Sequence, residues 1–165
     1  VGSVAGGISG YFTNQMGGNC PKIIIVEPDR ADCLFRTAKA NDGTIHVVTG
    51  DMDSMMAGLC CGEPCTIAWD IIRKCASAFV SCGDGYAARG MQLLGQPLGD
   101  DTPVVSGESG AVPAGVVEGI MTEERLSAFR EALGMDETSC VLVISTEGDT
   151  DRENYQKVMQ GNYSL

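Results

Sequence analysis

Basic residues are scarce in this chain. Its 165 residues carry 11 Lys and Arg against 22 Asp and Glu, a formal net charge of −11. Nucleic acid and anionic lipid both demand a basic footprint, so neither is expected as a partner. Histidine is nearly absent: His46 stands alone in a strand-like run, where a structural role suits it better than that of a base. The eight cysteines, at 20, 33, 60, 61, 65, 75, 82 and 140, include no Cys-x-x-Cys pair. Cys60, Cys61 and Cys65 lie close together but lack a fourth ligand at finger-like spacing, so no metal is expected. They read as small buried hydrophobes in a reducing cytoplasm. No apolar run reaches bilayer-spanning length. The N-terminus has neither the charged flank nor the cleavage site of a secretory leader. These absences predict a soluble, cytoplasmic protein.

What is present suffices for one domain with a real core, since 44% of the residues are hydrophobic. Residues 1–10, VGSVAGGISG, make a glycine-dense turn that runs into an apolar helix over 8–16. No strand precedes the turn, which predicts that the first half of a larger protein lies upstream. Lys22 begins a continuous apolar run to Val26, the signature of a buried parallel strand. A short helix is expected over 32–39, a second strand over 45–48, and a helix capped by Asp51 through Leu59. Residues 66–81 read as one amphipathic helix, with Ala68, Ile71, Ile72, Cys75 and Phe79 on one face. Helices follow over 84–94 and 111–121, the latter with Pro113 in its first turn, and a further one capped by Thr122. A last strand spans 140–145, and a polar tail closes the chain. Strands alternating with helices give an α/β class: a mainly parallel sheet with helices on both faces. Ligands of such sheets sit at the carboxyl ends of strands.

Three motifs lie where ligands would. The opening turn offers backbone N–H groups and a helix N-terminus, a phosphate cradle that spares the few basic side chains. It is not a Walker A loop, because no Gly-Lys-Ser/Thr follows, and it lacks the strand and ribose-binding acid of a dinucleotide site. Residues 106–110, SGESG, set one carboxylate, Glu108, between small residues just ahead of an apolar helix. A capping turn explains it; so does a carboxylate held near a ligand. Residues 145–151, STEGDTD, follow the last strand. They read either as a solvated turn or as a hydroxyl facing a ring nitrogen, which would leave a pyridine unprotonated.

Taken in order, VGSVAGG, IIIVEPDRADCLFR, GDMDSMMAGLCCGEP, SGESGAVPAG and VLVISTEGDTD resemble the C-terminal part of the diaminopropionate ammonia-lyase family. These are pyridoxal-phosphate enzymes of the tryptophan synthase β-like fold, fold type II. The resemblance implies that residues 1–165 are the C-terminal part of the large cofactor-binding domain. It implies pyridoxal 5′-phosphate as cofactor and α,β-elimination of 2,3-diaminopropionate to pyruvate and ammonia, in a homodimer. By position, Val1, Gly2, Ser3 and Val4 would donate to the cofactor phosphate. Glu108 would stand beside the ring, and Ser145 or Thr146 would face the pyridine nitrogen. The family's Schiff-base lysine lies upstream, and Lys22, Lys39, Lys74 and Lys157 do not sit in its Asn-x-x-Lys-like setting. No catalytic residue is therefore expected in this chain, which alone should not catalyse the elimination. Its partners would be an amino-acid substrate, the absent N-terminal half and a second copy. Two alternatives keep the fold: a threonine or serine dehydratase-like enzyme, and a non-catalytic module that binds a phosphorylated ligand.

Overall fold

The computed structural model describes residues 1–162. They fall into two compact units: Val1–Ser54 with Gly58–Cys82, and Met55–Ala57 with the residues from Gly83 onward.

The first unit runs α1 (Ser3–Met16), a 3-10 turn (Gly17–Asn19), β1 (Ile23–Pro28), α2 (Cys33–Ala40), α3 (Thr66–Cys75) and β2 (Ala76–Cys82). The β-branched run of β1 pairs in parallel with β2, Ile25 opposite Phe79 and Val26 opposite Val80. Ile25, Cys33, Leu34, Val48, Ala68 and Ile72 form the core. Helix α1 lies close on α3 because Gly6 has no side chain; a Cβ there would stand 3.0 Å from that of Ala68.

The α/β class with parallel pairing is as expected, but several elements differ. The helix expected over 66–81 ends at Cys75, and Ala76–Cys82 is a strand. No Gly or Pro marks the change. Pairing with β1 overrides a helical periodicity that Phe79 only appeared to continue. Residues 45–48 are not a strand. There the Val48 N–H donates to the Gly62 carbonyl at 2.8 Å, and the His46 N–H to Thr37 Oγ1 at 3.0 Å. The helix expected after Asp51 is reduced to one 3-10 turn, Ala57–Leu59, although Met56 is still buried.

The second unit contains α4 (Asp84–Gly95), α5 (Glu108–Thr122), a 3-10 turn (Glu124–Leu126), α6 (Ser127–Leu133) and α7 (Arg152–Met159). Its core joins Ala88, Met91, Ala111, Tyr155 and Val158. Helices α4 and α5 touch backbone to backbone: a Cβ on Gly90 would overlap the Ala111 carbonyl, and one on Gly115 the Tyr86 carbonyl. Helix α5 starts earlier than expected, so Pro113 lies inside it and leaves the carbonyl four residues back without its helical donor. Thr122 ends α5 rather than capping a new helix, its hydroxyl donating to the Glu118 carbonyl at 2.9 Å. Residues 140–145 are not a strand; the second unit has no described strand with which they could form a ladder. Most of the polar tail is helix α7; its last three residues lie outside the described ones. Asp151 caps α7, accepting from the Asn154 N–H at 2.9 Å, while Tyr155 and Val158 turn inward. No helix among the described residues is long and apolar enough to cross a membrane.

Candidate functional site

In the first unit the candidate residues are Val1, Gly2, Ser3 and Val4. Gly2 turns the chain into α1 at φ 100°, in the left-handed region, where an L side chain is strained. A Cβ there would also meet Ile72 at 3.3 Å and Leu34 at 3.4 Å. The Cys65 N–H donates to the Val1 carbonyl at 2.8 Å, tying the turn to the start of α3. The first helical bond runs from the Gly6 N–H to the Gly2 carbonyl at 2.7 Å. The N–H groups of Ser3, Val4 and Ala5 therefore have no helical acceptor. No side chain caps this end, and its first turn holds no acid.

Three other helix starts are closed by carboxylates from within the chain: that of α7 by Asp151, and those of α2 and α5. Buried Glu27 accepts from the Leu34 N–H at 3.1 Å and the Phe35 N–H at 2.7 Å, at the start of α2. Burial nonetheless pushes its carboxyl up to about 6. The neighbouring Cys33 thiol is pushed up to about 12 by burial and by Glu27. Glu147 closes α5 in the same manner, its Oε2 accepting from the Ser109 N–H at 2.8 Å. The free donors of α1, at the positive end of a helix, suit a dianionic phosphate.

In the second unit the structure joins Glu108 and Ser145 to partners that the sequence did not single out. Glu108 is 6% exposed, and its Oε1 accepts from Asn154 Nδ2 at 2.6 Å. Ser145 Oγ lies 2.7 Å from Ser106 Oγ. The Gly107 N–H donates to the Glu147 carbonyl at 2.9 Å, so residues 145–147 are stitched to the start of α5. Thr146 is exposed. Its hydroxyl makes no hydrogen bond to another described residue, so the two candidate hydroxyls differ in surroundings. Ser109 Oγ is buried without a partner among the described residues. Asn154 was missed because it lies on the polar tail; its spacing from Asp151, an Asp followed three residues later by Asn, was the available signal. The four lysines are all exposed. Lys157 pairs with Glu153 at 2.9 Å, and Lys39 stands 5.6 Å from the Phe35 ring centre.

The chain belongs to the family of pyridoxal-phosphate dependent enzymes, which matches residues 1–145. Within that family it is similar to diaminopropionate ammonia-lyase of Escherichia coli strain K12. The two are 46% identical over 166 aligned residues, covering 100% of this chain and 41% of the relative. A crystal structure of the Escherichia coli ammonia-lyase in complex with D-serine has a TM-score of 0.85 and 42% identity, over 98% of this chain and 39% of that one. The same enzyme in complex with an aminoacrylate-PLP azomethine reaction intermediate has a TM-score of 0.86 and 42% identity, over 97% of this chain and 40% of that one. The chain thus spans well under half the length of these relatives. The resemblance, the fold-type-II class and the cofactor inferred from the sequence all agree with these matches.

Proposed function

We propose that this chain is part of a pyridoxal-phosphate dependent lyase that converts 2,3-diaminopropionate to pyruvate and ammonia, and that it supplies the phosphate loop and part of the cofactor pocket. The observation that carries this reading is 46% identity, across the whole chain, to an enzyme of that activity. Bound pyridoxal phosphate supplies the electron sink that lets an amino acid lose its α-proton and then its β-amino group. The backbone N–H groups at Val1, Gly2, Ser3 and Val4 hold the phosphate. The N–H groups of Ser3 and Val4 have no helical acceptor, whereas the Val1 nitrogen donates to the Glu63 carbonyl at 2.6 Å, and the dipole of α1 favours the negative charge. Glu108 stands beside the ring, kept in one orientation by Asn154. A hydroxyl from Ser145 or Thr146 donates to the ring nitrogen and keeps the pyridine neutral, because it lacks the negative charge that would stabilise a proton there.

The lysine and the proton-moving groups belong to a preceding half of the enzyme. All four lysines of this chain are exposed, a poor setting for the lowered pKa of a catalytic amine. The exposed apolar residues Val141, Leu142 and Ile144 favour contact with further chain, and a second copy completes a homodimer.

Two preparations test this reading: residues 1–165 alone, and the protein with its preceding half. Ammonia release from 2,3-diaminopropionate, serine and threonine is followed in each. The longer protein should favour diaminopropionate and the shorter chain should release nothing. A preference for serine or threonine would make the protein a dehydratase. Turnover by residues 1–165 alone would refute the division of roles.

A further inference from the structure

We propose that Ser106 is a positioning residue that donates its hydroxyl proton to Ser145 Oγ, so that Ser145 gives its own proton outward to a neutral ring nitrogen and Thr146 takes no part. This rests on the cofactor reading above and goes beyond it by choosing between the two hydroxyls and naming what orients the chosen one.

Ser106 Oγ and Ser145 Oγ are 2.7 Å apart, and either could be the donor. One of their two protons lies between them, and the other must go elsewhere. The internal alternatives are poor: the Gly107 carbonyl is 3.4 Å from Ser106 Oγ, and the Glu147 carbonyl is 3.4 Å from Ser145 Oγ. Burial decides which proton stays inside. Ser106 is 1% exposed, and a buried donor left unmade is costly, whereas an exposed one loses nothing to solvent. Ser106 therefore donates inward. Ser145, which is exposed, has one lone pair filled and a proton aimed outward. That is the complement of an unprotonated pyridine nitrogen, which only accepts. Thr146 has no such neighbour to fix its hydroxyl.

The backbone guards the pair. A Cβ on Gly110 would stand 2.8 Å from Ser106 Oγ and 3.1 Å from Ser145 Oγ. Gly110→Ala therefore pushes the two hydroxyls apart without removing either.

The test uses the longer protein, with its preceding half, and two coenzymes: pyridoxal phosphate and its 1-deaza analogue, in which C–H replaces the ring nitrogen. Dissociation constants are measured by fluorescence titration. The wild type should prefer pyridoxal phosphate by about fivefold, the net worth of one neutral hydrogen bond. Ser145→Ala, Ser106→Ala and Gly110→Ala should bring that ratio to about one, and Thr146→Ala should retain it. Affinity for the deaza analogue reports an intact pocket and should stay near wild type in all four variants. If Ser106→Ala does not fold, Ser106→Cys keeps the volume with a weaker donor and should lower the ratio in the same direction. The proposal is overturned if Thr146→Ala abolishes the preference while Ser145→Ala keeps it, or if Ser106→Ala weakens both coenzymes equally. Equal wild-type affinity for the two coenzymes also overturns it and leaves the proposed function standing. A wild type that binds neither refutes the proposed function itself.

Discussion

At the scale of single residues, two buried carboxylates carry stability expectations, and one of them depends on pH. Burial raises Glu27 from the ordinary 4.5 to about 6, so the folded state holds its proton more tightly than the unfolded state does. The stability this contributes is complete below pH 4.5 and is lost as pH rises through about 6, about 2 kcal/mol in all. Glu27→Gln removes that titration. The stability of the wild type relative to Glu27→Gln should fall by that amount between pH 4.5 and 7, read from urea unfolding at several pH values. A gap that does not change with pH would contradict the assignment. Glu108 depends on Asn154 for its amide donor, at 2.6 Å. Asn154→Asp would set two carboxylates face to face and remove the amide donor. Its thermal midpoint should drop below that of the wild type. Asn154→Ala should cost about 1–3 kcal/mol, the price of a buried acceptor left short.

Among elements, the α4–α5 contact is the most demanding. A Cβ at Gly115 would overlap the Tyr86 carbonyl, and no rotamer change relieves a backbone clash. Gly115→Ala should therefore destabilise by about 3 kcal/mol or more. Gly7 of α1 is the contrasting case: a Cβ there meets nothing within 4 Å. Gly7→Ala should stabilise by about 0.5–1 kcal/mol, by lowering the entropy of the unfolded chain. Thermal unfolding of the two variants checks both signs. The element errors made from sequence follow the same logic. Helix α3 was legible from the spacing of Ala68, Ile71 and Ile72, but its end at Cys75 was not, because β2 exists only through its pairing with β1. Residues 140–145 have strand composition and no described neighbour to pair with. Helix α7 hid in a polar tail because two inward residues, Tyr155 and Val158, hold it.

For the whole molecule, the exposed apolar residues carry the clearest expectation. Leu142 is 68% exposed and Val141 46%, an unfavourable burden in water. If the preceding half of the enzyme covers them, amide hydrogen exchange over residues 140–145 should be fast in residues 1–165 alone and slow in the longer protein. Equal exchange in both would count against that cover. The amino-acid sequence determined the α/β class, the glycine turn with its free donors, the isolated Glu108 and the hydroxyl pair Ser145-Thr146. Each of these depends on local residue type: glycine at a positive φ, a helix start without an acid, an apolar run rich in β-branched side chains. Tertiary structure alone decided that Glu27 and Glu147 close the ends of α2 and α5, that Asn154 holds Glu108, and that Ser106 meets Ser145. Those contacts join residues up to 46 positions apart, and a hydrogen bond over such a span depends on where packing brings the two groups, which no local pattern records.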